Sequence, residues 1–211
     1  MKHSNLLSFF IAIEDLKTIM RHSWTTDKNR QESSAEHSWA MALIAMALFD
    51  HLEKKVDERK VLQLVIFHDL AEIITKDIPA FEKSKRQEKK HEAEQKALRK
   101  LLKPLPLSTR KQFLSLWEEF EENKTYEAHI AQGIDKMEVL IQHNIADIST
   151  WDQGDFNIHP FYRTELFDFD RFFRTLRDEV EMMSFEKITT TGNEHRIKPH
   201  FAEKYKKKYK I

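Results

Sequence analysis

A chain of 211 residues with 40% hydrophobic content is long enough for one domain with a real core. Its 35 basic residues balance its 35 acidic ones, which gives no general pull toward a nucleic-acid polymer or an anionic membrane. The absence of cysteine excludes disulfides and thiolate chemistry, and no apolar run approaches the ~18 residues of a membrane span. The start lacks a basic region followed by a cleavage site, so no signal peptide is read and a cytoplasmic location is expected.

Only 3 glycines and 5 prolines interrupt a sequence rich in Leu, Glu, Lys and Ala, a balance that favours helix. Apolar residues at helical spacing predict a first helix from Asn5 to Met20. The polar stretch "RHSWTTDKNRQESS" reads as a loop, and serines that can cap it precede a second helix over about 35–52. Asp57 caps a third, over about 58–75, which Pro79 prevents from continuing. The charged run "EKSKRQEKKHEAEQKALRK" reads as a loop and then a solvated helix ending near Leu102. Beyond "KPLPLS", Ser108 is read as the cap of a helix through Glu121, and Thr125 as the start of a long helix to about Thr150. An aromatic-rich connection leads to a helix over about 168–183, and the basic tail from Glu186 to Ile211 is poorly patterned. The expectation is an all-α single domain, 1–211, of six to seven helices. Its motif-bearing core spans about 16–142, followed by a C-terminal extension over about 151–211.

The segment "VIFHDLAEIITKD" sets His68, Asp69, Glu72 and Asp77 in a strongly apolar stretch. Burying an ionisable group costs several kcal/mol (roughly) unless it is paired, neutralised or metal-bound. On one helix His68 and Glu72 are four apart and Asp69 and Glu72 three apart, so Glu72 shares a side with both. His68 and Asp69 are roughly 100° apart and can grip one ion only near the helix surface, with further ligands from elsewhere. His37, in the first turn of an apolar helix, and Asp135, among Ile130, Ile134, Met137 and Leu140, are candidates of that kind. Each also has a plain structural alternative: a core histidine on a backbone carbonyl, a helix cap, or a carboxylate paired with Lys or Arg. Together they make a mixed imidazole and carboxylate set spread over three helices, as helical bundles build metal sites.

The order His … His-Asp … Asp resembles the HD-domain metal-dependent phosphohydrolases, most closely the small 5′-deoxynucleotidase branch. The strings "RHSW", "RQESSAEHSWAMAL", "HDLAEIITKDIP", "LWEEFEENKTYEA" and "DKMEVLIQ" follow the family's order over Leu16 to Gln142. The resemblance implies an HD-domain helical bundle and a ligand set of His37, His68, Asp69 and Asp135 for one divalent ion, its identity open among Co, Mn, Fe, Zn, Ni and Mg. It places catalytic acidic groups at Glu72 and Asp77, and a sugar-discriminating indole at Trp24. Lys76 stands where the family usually has Gly, so the turn holding Asp77 is altered or gains a cation.

The implied reaction releases phosphate from a nucleoside 5′-monophosphate. A divalent ion neutralises phosphate charge and lowers the pKa of bound water, and the leaving alkoxide needs a proton donor. Arg21, Arg30 and Lys83 are the phosphate-binding candidates, each with a solvated surface charge as its alternative. A small phosphorylated substrate and a homodimer are expected as partners. Two other readings remain: a di-iron HD-type oxygenase, for which only His91 and His129 lie between the His-Asp pair and Asp135, and a non-catalytic nucleotide-sensing module. Another phosphorylated small molecule is also open as the substrate.

Overall fold

The computed structural model describes residues 3–79, 82, 84–158 and 161–209. Among them the helices are α1 (His3–Ile13), α2 (Ser34–Leu48), α3 (Glu58–Phe67), α4 (Glu72–Thr75), α5 (Lys85–Glu88), α6 (Lys90–Leu101), α7 (Leu107–Glu122), α8 (Tyr126–Ile145), α9 (Gln153–Ile158), α10 (Arg171–Thr190) and α11 (Pro199–Tyr209). The sheet content is one antiparallel hairpin, β1 (Met20–Trp24) with β2 (Gln31–Ser33), paired Met20 to Ser33 and Trp24 to Gln31. The helical class holds, with more and shorter helices than the sequence pattern predicts.

Local chemistry explains several boundaries. The Asp57 side chain accepts the Lys60 amide at 3.0 Å, and the Thr125 hydroxyl accepts the Ala128 amide at 3.1 Å. At α2, Ser33 and Glu36 form a reciprocal capping box. Ser108 is not a cap: α7 starts at Leu107, with Pro106 in the extended conformation before it.

Other differences have tertiary causes. The stretch read as a polar loop is the β-hairpin; it lacks apolar alternation because its buried side chains, Ser23, Glu32 and Ser33, are polar. The first helix stops at Ile13, passes through a 3₁₀ turn over Glu14–Thr18, and yields to β1. The helix read over 58–75 is broken, since α3 ends at Phe67. The next residues tighten through a Leu70 amide to Phe67 carbonyl bond of 3.1 Å and a Glu72 amide to Asp69 carbonyl bond of 2.9 Å. His68, Asp69 and Glu72 therefore do not share one continuous helix.

The core is formed where α3 packs on α2, α7 and α8, and α8 packs on α2 and α10. Met41, Leu64, Trp117, Ile130, Ile134 and Phe173 are among its buried members. The C-terminal part is more ordered than its composition suggests. Trp151, Phe156, Ile188 and Ile197 form a second, smaller core, and the Trp151 indole donates to the His143 carbonyl at 3.0 Å.

Candidate active site

Three elements deliver the central donors. The capping box fixes the start of α2 and with it His37; the turn after α3 carries His68 and Asp69; α8, packed on both helices, presents Asp135 from its middle. One donor atom each from His37, His68 and Asp135 lies within 4.8 Å of the others, and all three residues are buried. Asp69 adjoins them, with Oδ1 3.1 Å from His68 Nε2.

Neighbouring groups orient both imidazoles. His68 Nδ1 lies 2.9 Å from the Val65 carbonyl, so Nδ1–H donates there and Nε2 faces the cluster. That buried Nε2 makes no well-aligned hydrogen bond among the described residues, although Asp69 Oδ1 stands 3.1 Å away. His37 Nδ1 lies 2.5 Å from Glu138 Oε2, and its Nε2 lies 3.2 Å from Asp135 Oδ1. A carboxylate behind a histidine that faces a metal position is a familiar second partner in such sites. Burial and Arg21 push the His37 imidazolium down, but Glu138 and Asp135 outweigh them and hold its pKa at about 10. Burial raises Asp69 and Asp135, yet the surrounding cations and imidazoles keep both below the ordinary carboxylate range. The donor set of two imidazoles and two ionised carboxylates suits a borderline divalent cation, and a His68 nitrogen with no well-aligned hydrogen bond, turned toward Asp69, fits one.

A cavity of about 380 Å³ opens beside this cluster, lined by His68, Asp69 and Asp135 as well as Glu72 and Asp77. Glu72 is 1% exposed and accepts the Ser34 hydroxyl at 2.7 Å. Burial, followed by the negative charges of Asp69 and Asp77, holds its carboxyl well above the ordinary range. Asp77 is half-buried and follows Lys76, whose φ of +67° and ψ of 158° fall in a region that strongly favours glycine. The glycine noted as usual at this position thus has a backbone reason.

Among the expected substrate-binding residues, Arg21 lines the cavity and its Nη1 donates to Asp69 Oδ2 at 2.8 Å. Arg30 is not brought there: it is exposed and forks onto Glu36 at 2.8 and 2.6 Å. Trp24, half-buried at the end of β1, is not among the cavity-lining residues; its carbonyl accepts the Gln142 side-chain amide at 2.5 Å. Lys83 lies outside the described residues. The sequence reading passed over Lys90 and Lys136, which line the cavity, and Glu138, which supports His37. Glu138 had a usable signal, since it lies one helical turn after Asp135 on the same apolar-flanked face. The two histidines a di-iron reading would draw on lie elsewhere: His91 faces Glu121 and His129 faces Asn123.

Similar proteins share this frame. The human 5′-deoxynucleotidase HDDC2 is 31% identical over 139 residues, covering 65% of this chain and 66% of the human protein. The Dictyostelium discoideum 5′-deoxynucleotidase HDDC2 is 32% identical over 146 residues, covering 66% of this chain and 76% of that one. In three dimensions a protein of Magnetospirillum magnetotacticum superposes with a TM-score of 0.73 at 24% identity, covering 93% of this chain and 98% of its own, and so shares the fold. A family model for the HD domain matches residues 13–177, a span that begins before β1 and ends within α10. Because that span encloses the helices bearing His37, the His68-Asp69 pair and Asp135, the chain belongs to the HD domain family.

Proposed function

We propose that this protein is a metal-dependent phosphomonoesterase that releases phosphate from nucleoside 5′-monophosphates, deoxyribonucleotides among them. The observation that carries this reading is the meeting of His68, Asp69 and Asp135 on the wall of one cavity, with His37 clustered against His68 and Asp135, beside the buried carboxyl of Glu72 and the cations Arg21, Lys90 and Lys136. The names of the human and Dictyostelium relatives support the substrate class. A cavity of about 380 Å³ is of a size for a small-molecule ligand.

His37, His68, Asp69 and Asp135 would hold a divalent ion, which would neutralise phosphate charge and lower the pKa of a bound water. The protein's own groups do the rest. Arg21, already held by Asp69, offers guanidinium N–H groups to the phosphate, and Lys90 and Lys136 add positive charge along the wall. The Ser34 hydroxyl occupies one Glu72 oxygen, leaving the other to carry a proton toward the leaving 5′-oxygen. Asp77, also in the lining, orients the attacking water. Trp24 follows the three β1 residues that line the cavity, which supports it as a sugar-discriminating neighbour.

The test is a metal-supplemented hydrolysis screen of ribo- and deoxyribonucleoside monophosphates and sugar phosphates, read as phosphate release. Turnover of the nucleotides is expected; none with any divalent ion would overturn the reading. A paired dAMP and AMP assay of Trp24→Ala addresses the sugar: the ratio of their kcat/KM values should narrow, by at most about 10²-fold, if the indole excludes the 2′-hydroxyl. A cytoplasmic location is part of the same proposal, supported by the cysteine-free composition. A homodimer is supported by exposed Trp39, Leu43 and Met46, which recur at helical spacing on α2, and light scattering should return twice the 25.3 kDa chain mass.

A further inference from the structure

A second group of ligand-type side chains lines the same cavity and has no part in the chemistry above. His22 comes from β1, His143 from the last turn of α8 and Asp155 from α9. One donor atom from each lies within 4.8 Å of the other two. We infer that His22, His143 and Asp155, with Asp152 beside them, form a second divalent-metal site, distinct from the His37, His68, Asp69 and Asp135 set.

The spacing matches a metal's requirement. A tetrahedral ion with bonds of about 2.0–2.1 Å separates its ligand atoms by roughly 3.3–3.4 Å. His22 Nε2 stands 3.0 and 3.2 Å from the two Asp155 oxygens, and His143 Nδ1 stands 3.5 Å from Asp155 Oδ1. Asp152 Oδ2 stands 3.9 Å from His22 Nε2, beside the three donors. Its other oxygen, Oδ1, is engaged by the Gly154 and Asp155 amides, which fixes the carboxylate in place. Two imidazoles and two carboxylates are also the donor set of the first site.

The surroundings prepare the ligands. The His143 ring meets the buried Ser23 hydroxyl at 3.1 Å through Nε2; with Nε2–H donating there, Nδ1 is the nitrogen presented to Asp155. Burial pushes the His143 imidazolium down to about 4, so the ring is neutral and fit to coordinate. Asp155, 3% exposed, takes the Asp152 amide on Oδ2 at 2.8 Å and stays ionised through His22 and His143 in spite of its burial. Without an ion, a proton shared between His22 and Asp155 holds the cluster together; a divalent cation displaces it. An ion here ties α9 to the hairpin and adds positive charge to the wall of the cavity. The donor chemistry selects a borderline divalent ion such as zinc over magnesium or calcium.

The experiment uses the full-length chain, stripped of metal and reloaded with zinc. Direct metal analysis should return two ions per wild-type chain, and one for His22→Gln and for Asp155→Asn. A crystal measured across the zinc absorption edge should show separate anomalous peaks at the two sites. One ion per wild-type chain, or an anomalous map with no peak at bonding distance from His22, His143 and Asp155, overturns the inference. The wild-type map decides the matter even if a variant fails to fold, and neither readout depends on which substrate is hydrolysed.

Discussion

Glu72 and Lys76, four residues apart in sequence, show how differently single side chains serve this site. Burial, with Asp69 and Asp77, raises the Glu72 carboxyl well above the ordinary carboxylate range, while the Ser34 hydroxyl holds one of its oxygens. Glu72→Gln keeps the shape and removes the transferable proton. It should bind metal as the wild type does and lose about 10²–10⁴-fold in turnover, with metal analysis and phosphate release measured on the same sample. Lys76 closes α4 with a φ of +67°, a conformation that costs a residue bearing a Cβ roughly 1–3 kcal/mol. Lys76→Gly relieves that strain and gives back part of it through the freer unfolded chain. The net expectation is about 1 kcal/mol of added stability, seen as a melting temperature raised by roughly 2–4 °C.

Helix packing governs how accurately the donors meet. Asp135 reaches its place because α8 packs against α2, α3 and α10. Gly133, two residues earlier, permits the close approach to α10: a Cβ there would sit 3.0 Å from Phe173 Cε1. Phe173 is buried and packs against Phe167 and Phe169, with ring centroids 6.4 and 5.1 Å away, so it has little room to yield. Gly133→Ala should therefore lose stability by about 1–3 kcal/mol, in spite of alanine's better helix propensity, as chemical denaturation would show. The hairpin and the short α9 act as elements in the same way. They carry Arg21, His22 and Asp155 to the cavity from opposite ends of the chain.

For the whole molecule, the proposed metal centre would join helices that the sequence separates by about a hundred residues, from His37 to Asp135, which would couple metal to stability. An ion that binds only the folded state, present at 100 times its Kd, contributes about 2.7 kcal/mol. Stripping it with a chelator should lower the melting temperature by roughly 5–10 °C for a chain of this size, and adding the divalent ion back should restore it. An unchanged melting curve, with metal loss verified by elemental analysis, would mean that the buried polar cluster is held by its own hydrogen bonds and ion pairs.

The sequence alone determined the helical class, the caps at Asp57 and Thr125, and the pairing of ionisable groups with apolar surroundings that marked His37, His68, Asp69 and Asp135 as candidates. These are local features: a capping side chain acts within one turn, and a charge amid Ile and Leu stands out in a short window. The string resemblance supplied the family, which the match over residues 13–177 shows independently. Only the tertiary structure decided that Arg21 faces the cavity while Arg30 turns to Glu36, that a turn separates His68 and Asp69 from Glu72's helix, and that Glu138 stands behind His37. It also drew His22, His143 and Asp155 together from three elements. A polar residue's partner is set by which backbone segment passes within about 3 Å of it, and that depends on packing between segments far apart in sequence.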